Sequence, residues 1–123
     1  MDKNILIIGK SNTLKTTLLS VLAKKLPSNN RGVVIDSEKE FTINGQNYTN
    51  YDFSLIDDKM QDNILDLAIN TLSDKIIVNT SLEKLYSNII QKGADYKGFI
   101  TTLNAQNPQD ALDKSVEILQ KNI

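Results

Sequence analysis

The sequence predicts an α/β domain in which a five-stranded parallel sheet is doubly wound by helices in a (βα)5 order. Three observations lead there. Short uninterrupted runs of Ile, Val and Leu recur along the 123 residues, and such runs suit parallel strands covered on both faces. Between them, apolar residues return at the three-and-four spacing of a helix. The length suits one domain, 1–123, closing a single core.

Each element follows in order. Ile5-Leu6-Ile7-Ile8-Gly9 is an apolar run ended by glycine, and predicts a buried first strand. Leu14, Leu18, Leu22 and Leu26 then share one helical face, and Pro27 stops the pattern. Val33-Val34-Ile35 predicts a second strand. The stretch Glu40–Thr49 breaks the rhythm: Asn44-Gly45 between alternating residues is a turn signal. The second helix is therefore expected to be irregular, or replaced by a β-turn excursion. Phe53-Ser54-Leu55-Ile56 predicts the third strand, ending at Asp57-Asp58. Ile64, Leu65, Ala68, Ile69 and Leu72 form a helical stripe. Ile76-Ile77-Val78 predicts the fourth strand, and Leu82, Leu85, Ile89 and Ile90 form the next stripe, stopped by Gly93. Phe99-Ile100-Thr101-Thr102 predicts the fifth strand. Pro108 opens a last helix carrying Leu112, Val116, Leu119 and Ile123, because a first-turn position loses nothing by lacking an N–H.

The composition excludes several chemistries. Without cysteine or histidine, there is no disulfide, no thiolate metal site and no imidazole base or ligand. A net charge of −1 argues against binding nucleic acid by phosphate neutralisation. Tyr48, Tyr51, Tyr86 and Tyr96 are too scattered for a base-stacking platform. No run of about 18 apolar residues is present, so no membrane span is expected. No secretory leader is expected either, because Met1-Asp2-Lys3-Asn4 lacks a basic segment. A cytoplasmic location is therefore the expectation.

Two readings compete for the loop after the first strand. Gly9-Lys10-Ser11-Asn12-Thr13-Leu14-Lys15-Thr16 nearly spells the phosphate-binding loop G-x-x-x-x-G-K-[ST]. On that reading the protein is a degenerate P-loop nucleotide-binding protein. Lys15 and backbone N–H groups would cradle phosphates, Thr16 would hold Mg²⁺, and Asp57 would steady the metal. Leu14 occupies the position of the glycine before the lysine, where a branched side chain resists the backbone approach. The other reading makes Leu14 the first inward residue of an ordinary helix.

Several strings carry a second signal. Tyr51 to Asp62 contains Asp57 and, three residues later, Met60. Ile76–Ser81 ends in Thr80 and a small residue. Gly93-Ala94-Asp95 precedes the fifth strand, Phe99 opens it, and Asn107 to Leu112 opens the last helix. In this order and spacing they resemble the receiver domain of two-component response regulators. The resemblance implies a flavodoxin-like strand order 2-1-3-4-5. It implies Asp57 as the phospho-acceptor position, Thr80 and Phe99 as switch residues, and a pocket of Gly9, Lys10, Asp58 and Thr102. Here Gly9 and Lys10 stand where receivers carry a Mg²⁺-binding acidic pair, and Thr102 stands at the position of the receiver lysine.

These departures define an atypical receiver, signalling by phosphorelay or by phosphorylation-independent protein contact. No enzymatic activity, no cofactor and no competent Mg²⁺ site are expected of it. The implied partners are a histidine kinase, an output domain or a second copy, through Leu82–Gly93, Phe99–Thr102 and Pro108–Ile123. The strand order would set Lys10 beside Asp57, as a substitute cation. A plainer role is open to each residue. Asp57 suits a helix N-cap, as do Thr80 and Ser81, and Phe99 suits the core.

Overall fold

The structure, a computed structural model, describes residues 4–10, 15–27, 29–45, 47–71, 73–93 and 96–121. The elements are β1 (Ile5–Gly9), α1 (Lys15–Lys25), β2 (Gly32–Asp36), β3 (Tyr48–Asp52), a 3-10 turn (Phe53–Leu55), α2 (Asp58–Asn70), β4 (Lys75–Asn79), α3 (Glu83–Lys92), β5 (Phe99–Asn104) and α4 (Pro108–Lys121). All strand pairs are parallel. The fold is a doubly wound α/β sheet, as the alternating runs predict. The leucines expected at Leu14 and Leu72 and the turn at Ala94-Asp95 lie outside the described residues.

Two features differ from expectation. The strand order is β1-β5-β4-β2-β3, not 2-1-3-4-5. Strands β1 and β3 therefore occupy opposite edges, four interstrand spacings or roughly 19 Å apart. The third strand is Tyr48–Asp52, upstream of the apolar run. Its half-exposed pattern of tyrosines and polar residues is that of an edge strand. Phe53, 1% exposed, instead plunges into the core from the 3-10 turn, while Leu55 is left exposed. As the turn signal at Asn44-Gly45 predicts, among the described residues no helix joins β2 to β3, and four helices are seen. The connection is an excursion through Phe41 and Gly45. The side chain of Asn50 brackets it, accepting from the N–H of Ile43 and donating to its carbonyl at 3.0 and 2.9 Å.

The core lies on both faces of the sheet. On one face Val33, Ile35, Ile76, Val78 and Phe99 pack with Leu65 and Ala68 of α2 and with Leu85 and Ile89 of α3. Leu103, Ala111, Ile118 and Tyr86 continue that layer under α4. On the other face Ile7, Val34, Ile77 and Ile100 pack under Leu19 of α1 and Phe41 of the excursion. The side chain of Asn4 ties the starts of β1 and β5 together. Its Oδ1 accepts from the N–H groups of Gly98 and Phe99 at 2.9 and 3.0 Å. The Tyr48 ring of β3 lies over Gly32 of β2, so that a Cβ on Gly32 would sit 2.4 Å from its Cε1.

Candidate functional site

In a doubly wound sheet ligands bind beyond the carboxyl ends of the strands. The register brings those ends together across four neighbours, pairing Gly9 with Asn104 and Asp36 with Asn79. Lys10 leaves β1 there, and α1 opens at Lys15. The Lys15 ammonium donates to the carbonyls of Gly9 and Lys10 at 3.2 and 2.6 Å. The Thr16 hydroxyl donates to Oε2 of Glu40 at 3.2 Å. Burial lowers the Lys15 pKa, and the Glu40 carboxylate partly opposes that shift. The result is a cation, a hydroxyl and a carboxylate at the mouth of the loop. Its residues 11–14, Leu14 included, lie outside the described residues.

Glu40 is presented by a tight turn at the end of β2. The Asp36 carboxylate, 6% exposed, accepts from the N–H groups of Glu38, Glu40 and Phe41 at 2.9, 2.7 and 2.8 Å. The turn passes through Lys39 at φ 57, in the left-handed region that a residue with a Cβ rarely adopts. Hydroxyls stitch this turn to the end of β4. Ser37 Oγ donates to Glu38 Oε2 and lies 2.7 Å from Thr80 Oγ1. Since each hydroxyl has one proton, Thr80 donates to Ser37. Ser81 donates to the other Glu38 oxygen at 2.7 Å. Burial resists ionisation of Glu38, but the bonds from Ser37 and Ser81 outweigh it and hold its pKa below the usual value. Asn79 links the turn to β5, donating to Asp36 Oδ1 at 3.1 Å and accepting from Thr102 Oγ1 at 3.3 Å.

Gly9, Lys10, Thr80 and Thr102 thus share the carboxyl edge of the sheet. Asp57 and Asp58 do not join them. Asp57 caps α2, accepting from the N–H of Met60 at 2.8 Å. Asp58 makes an exposed ion pair with Lys84 at 3.3 Å. Lys10 is not paired with Asp57, because the two follow strands at opposite edges. Phe99 lies at the other end of β5, buried in the core and edge-on to Tyr96 with ring centroids 4.9 Å apart. Thr80 accepts from the N–H of Leu82 at 2.9 Å, fixing the turn into α3. Sequence reasoning missed Asp36, Glu38 and Glu40. The available signal was Asp36-Ser37-Glu38-Lys39-Glu40, an acidic cluster directly after a buried strand.

No protein-family model matches the chain. It is 26% identical over 126 aligned positions to the type IV secretion system protein VirB11 of Bartonella quintana (strain Toulouse), covering 98% of this chain and 35% of that protein. Identity to the VirB11 of Bartonella henselae is 25%, with the same coverage. The chain thus spans about a third of the length of these relatives. The crystal structure of the VirB11 ATPase from the Brucella suis type IV secretion system, in complex with sulphate, superposes with a TM-score of 0.79 at 16% identity. That match covers 98% of this chain and 36% of that one, and the two share a fold.

These findings overturn the receiver reading, and with it phosphorelay signalling through Asp57, Thr80 and Phe99. The strand order contradicts it independently. The expectation of a chain without enzymatic activity falls as well, since the relatives are VirB11 proteins and the VirB11 of the solved structure is an ATPase. A histidine kinase as partner has no support; the relatives are secretion-system proteins. Among the described residues no helix is long and apolar enough to cross a membrane.

Proposed function

We propose that this chain is a nucleotide-binding module of a secretion ATPase, with the loop from Gly9 to Thr16 as its phosphate site. The observation that carries this reading is the contact of Thr16 with Glu40, beside Lys15, at the start of the helix that follows β1. Likeness to the VirB11 proteins over nearly the whole chain supports it. Phosphoryl transfer is catalysed mainly by positioning and by offsetting charge on the phosphate oxygens. Lys15 supplies the cation. In this structure it bonds to the carbonyls of Gly9 and Lys10, and phosphate oxygens would replace them as its partners. Thr16 offers a hydroxyl ligand to the Mg²⁺ that enters with the nucleotide as part of the substrate. Glu40, which accepts from the Thr16 hydroxyl, rather than Asp57, would be the carboxylate to hold that ion's water shell. No resident metal is proposed at Asp57.

With ATP as the substrate, the module would work on the cytoplasmic side of a membrane, and its partners would be other proteins of a secretion assembly. Calorimetric titration with ATP and Mg²⁺ tests the reading. Binding in the micromolar range that weakens at least tenfold in Lys15→Ala is expected, together with phosphate release that falls in the same variant. Indifference of the wild-type protein to nucleotide refutes it.

A further inference from the structure

We infer that Asp36 is a positioning residue of this nucleotide site: its buried carboxylate holds the turn that sets Glu40 against Thr16. The inference rests on the function proposed above and extends it to a residue that itself touches neither Lys15 nor Thr16 in the hydrogen bonds described. Asp36 ends β2, opposite Asn79 of β4, so its backbone is anchored by strands on both sides. Its Oδ2 receives the N–H groups of Glu40 and Phe41. Its Oδ1 receives the N–H of Glu38 and the side-chain amide of Asn79. Four donors converge on one carboxylate that is 6% exposed.

The consequence for Glu40 is geometric. Its own N–H is pinned, and so is that of the next residue, Phe41, whose ring is buried under α1. With both ends of the Glu40 backbone fixed, its side chain is directed to α1, where Oε2 meets the Thr16 hydroxyl. The left-handed conformation at Lys39 is needed for the chain to turn within so few residues. A merely structural Asp36 would stabilise the fold without coupling to Glu40. A positioning Asp36 acts on the site through Glu40 alone, so removing Glu40 should remove its effect.

The test is a double-mutant cycle with Asp36→Asn and Glu40→Gln, read by Mg²⁺-ATP titration and by NMR titration of the Lys15 side chain. Asn keeps the shape of Asp but sets an amide N–H₂ against backbone donors. Each single variant is expected to weaken Mg²⁺-ATP binding about tenfold, in the range usual for outer-shell partners. Each should also lower the Lys15 titration midpoint, by moving or removing the Glu40 charge. The double variant should be no worse than Glu40→Gln. Additive losses overturn the inference.

A second pair guards against misfolding of Asp36→Asn. Lys39→Val, with a β-branched residue that resists positive φ, should reproduce the loss; Lys39→Gly should not. Equal behaviour of the two overturns the inference. If wild-type protein fails to bind ATP, the proposed function falls, while the Lys15 titration still decides whether Asp36 acts through Glu40.

Discussion

Alanine at Gly32 tests the strand order itself. The observed register pairs Gly32 with Tyr48 of β3 and with Lys75 of β4. A new Cβ there would meet Tyr48 Cε1 and Cδ1 at 2.4 and 2.8 Å and the Lys75 carbonyl at 3.1 Å. The ring has to move, and overpacking of this kind costs about 1–3 kcal/mol. Replacing glycine within a strand would otherwise gain about 0.5–1 kcal/mol. The clash therefore wins, and Gly32→Ala should lower stability by about 1–2 kcal/mol, or about 4 °C in Tm per kcal/mol for a domain of this size. In a Tyr48→Ala background the ring is gone and the 3.1 Å contact with the Lys75 carbonyl remains. There the same substitution should cost about 1 kcal/mol less than in the wild type. Urea unfolding of the four proteins of the cycle measures both numbers. An equal cost in the two backgrounds would show that Tyr48 does not lie over Gly32, and the parallel β2–β3 pairing would be wrong.

Two further substitutions have defined outcomes. Asp57→Ala removes the cap of α2 and should cost about 1 kcal/mol in urea unfolding; ATP affinity should be unchanged, since Asp57 lies across the sheet from Lys15, and a shared loss would place Asp57 in the site after all. Burial, and then the Asp74 carboxylate, push the Tyr96 hydroxyl up to about 12 from 10.0. The raised value favours the neutral form in the folded state, so this stability is fully present below pH 10 or so and is lost as pH rises toward 12. Urea midpoints of wild type should therefore fall more steeply across that window than those of Tyr96→Phe, and parallel curves would refute the assignment.

Much of the fold was legible because burial on both faces leaves a strong mark. The runs at Ile5–Gly9, Val33–Ile35, Ile76–Val78 and Phe99–Thr102 all lie within observed strands. Tyr48–Asp52 carries no such mark, because an edge strand needs few apolar residues, and the run just after it, Phe53-Ser54-Leu55-Ile56, imitated a strand. Strand order was illegible for a different reason. Parallel apolar runs are nearly interchangeable, and the sequence contains no sign of which one lies beside which. Every inference about side chains meeting across the sheet depended on that order, so Lys10 and Asp57 were paired in error. The string of the proposed phosphate loop, Gly9 to Thr16, was legible in the sequence. Its carboxylate was not, because Asp36-Ser37-Glu38-Lys39-Glu40 reads as a solvated charge run until the turn and the β4 neighbour are known.

The pairing of β1 with β5 has a bearing on biosynthesis. Asn4 and Gly98, joined by a hydrogen bond, are 94 residues apart in the chain, and among the described residues β1 has no other partner in the sheet. Closing so long a loop is slow and entropically costly. On the ribosome, the earliest of these five strands to emerge must wait for the latest before it can dock. Lys10 and the helix carrying Lys15 hang on that strand, so the proposed nucleotide site is assembled only when nearly the whole sheet has been translated.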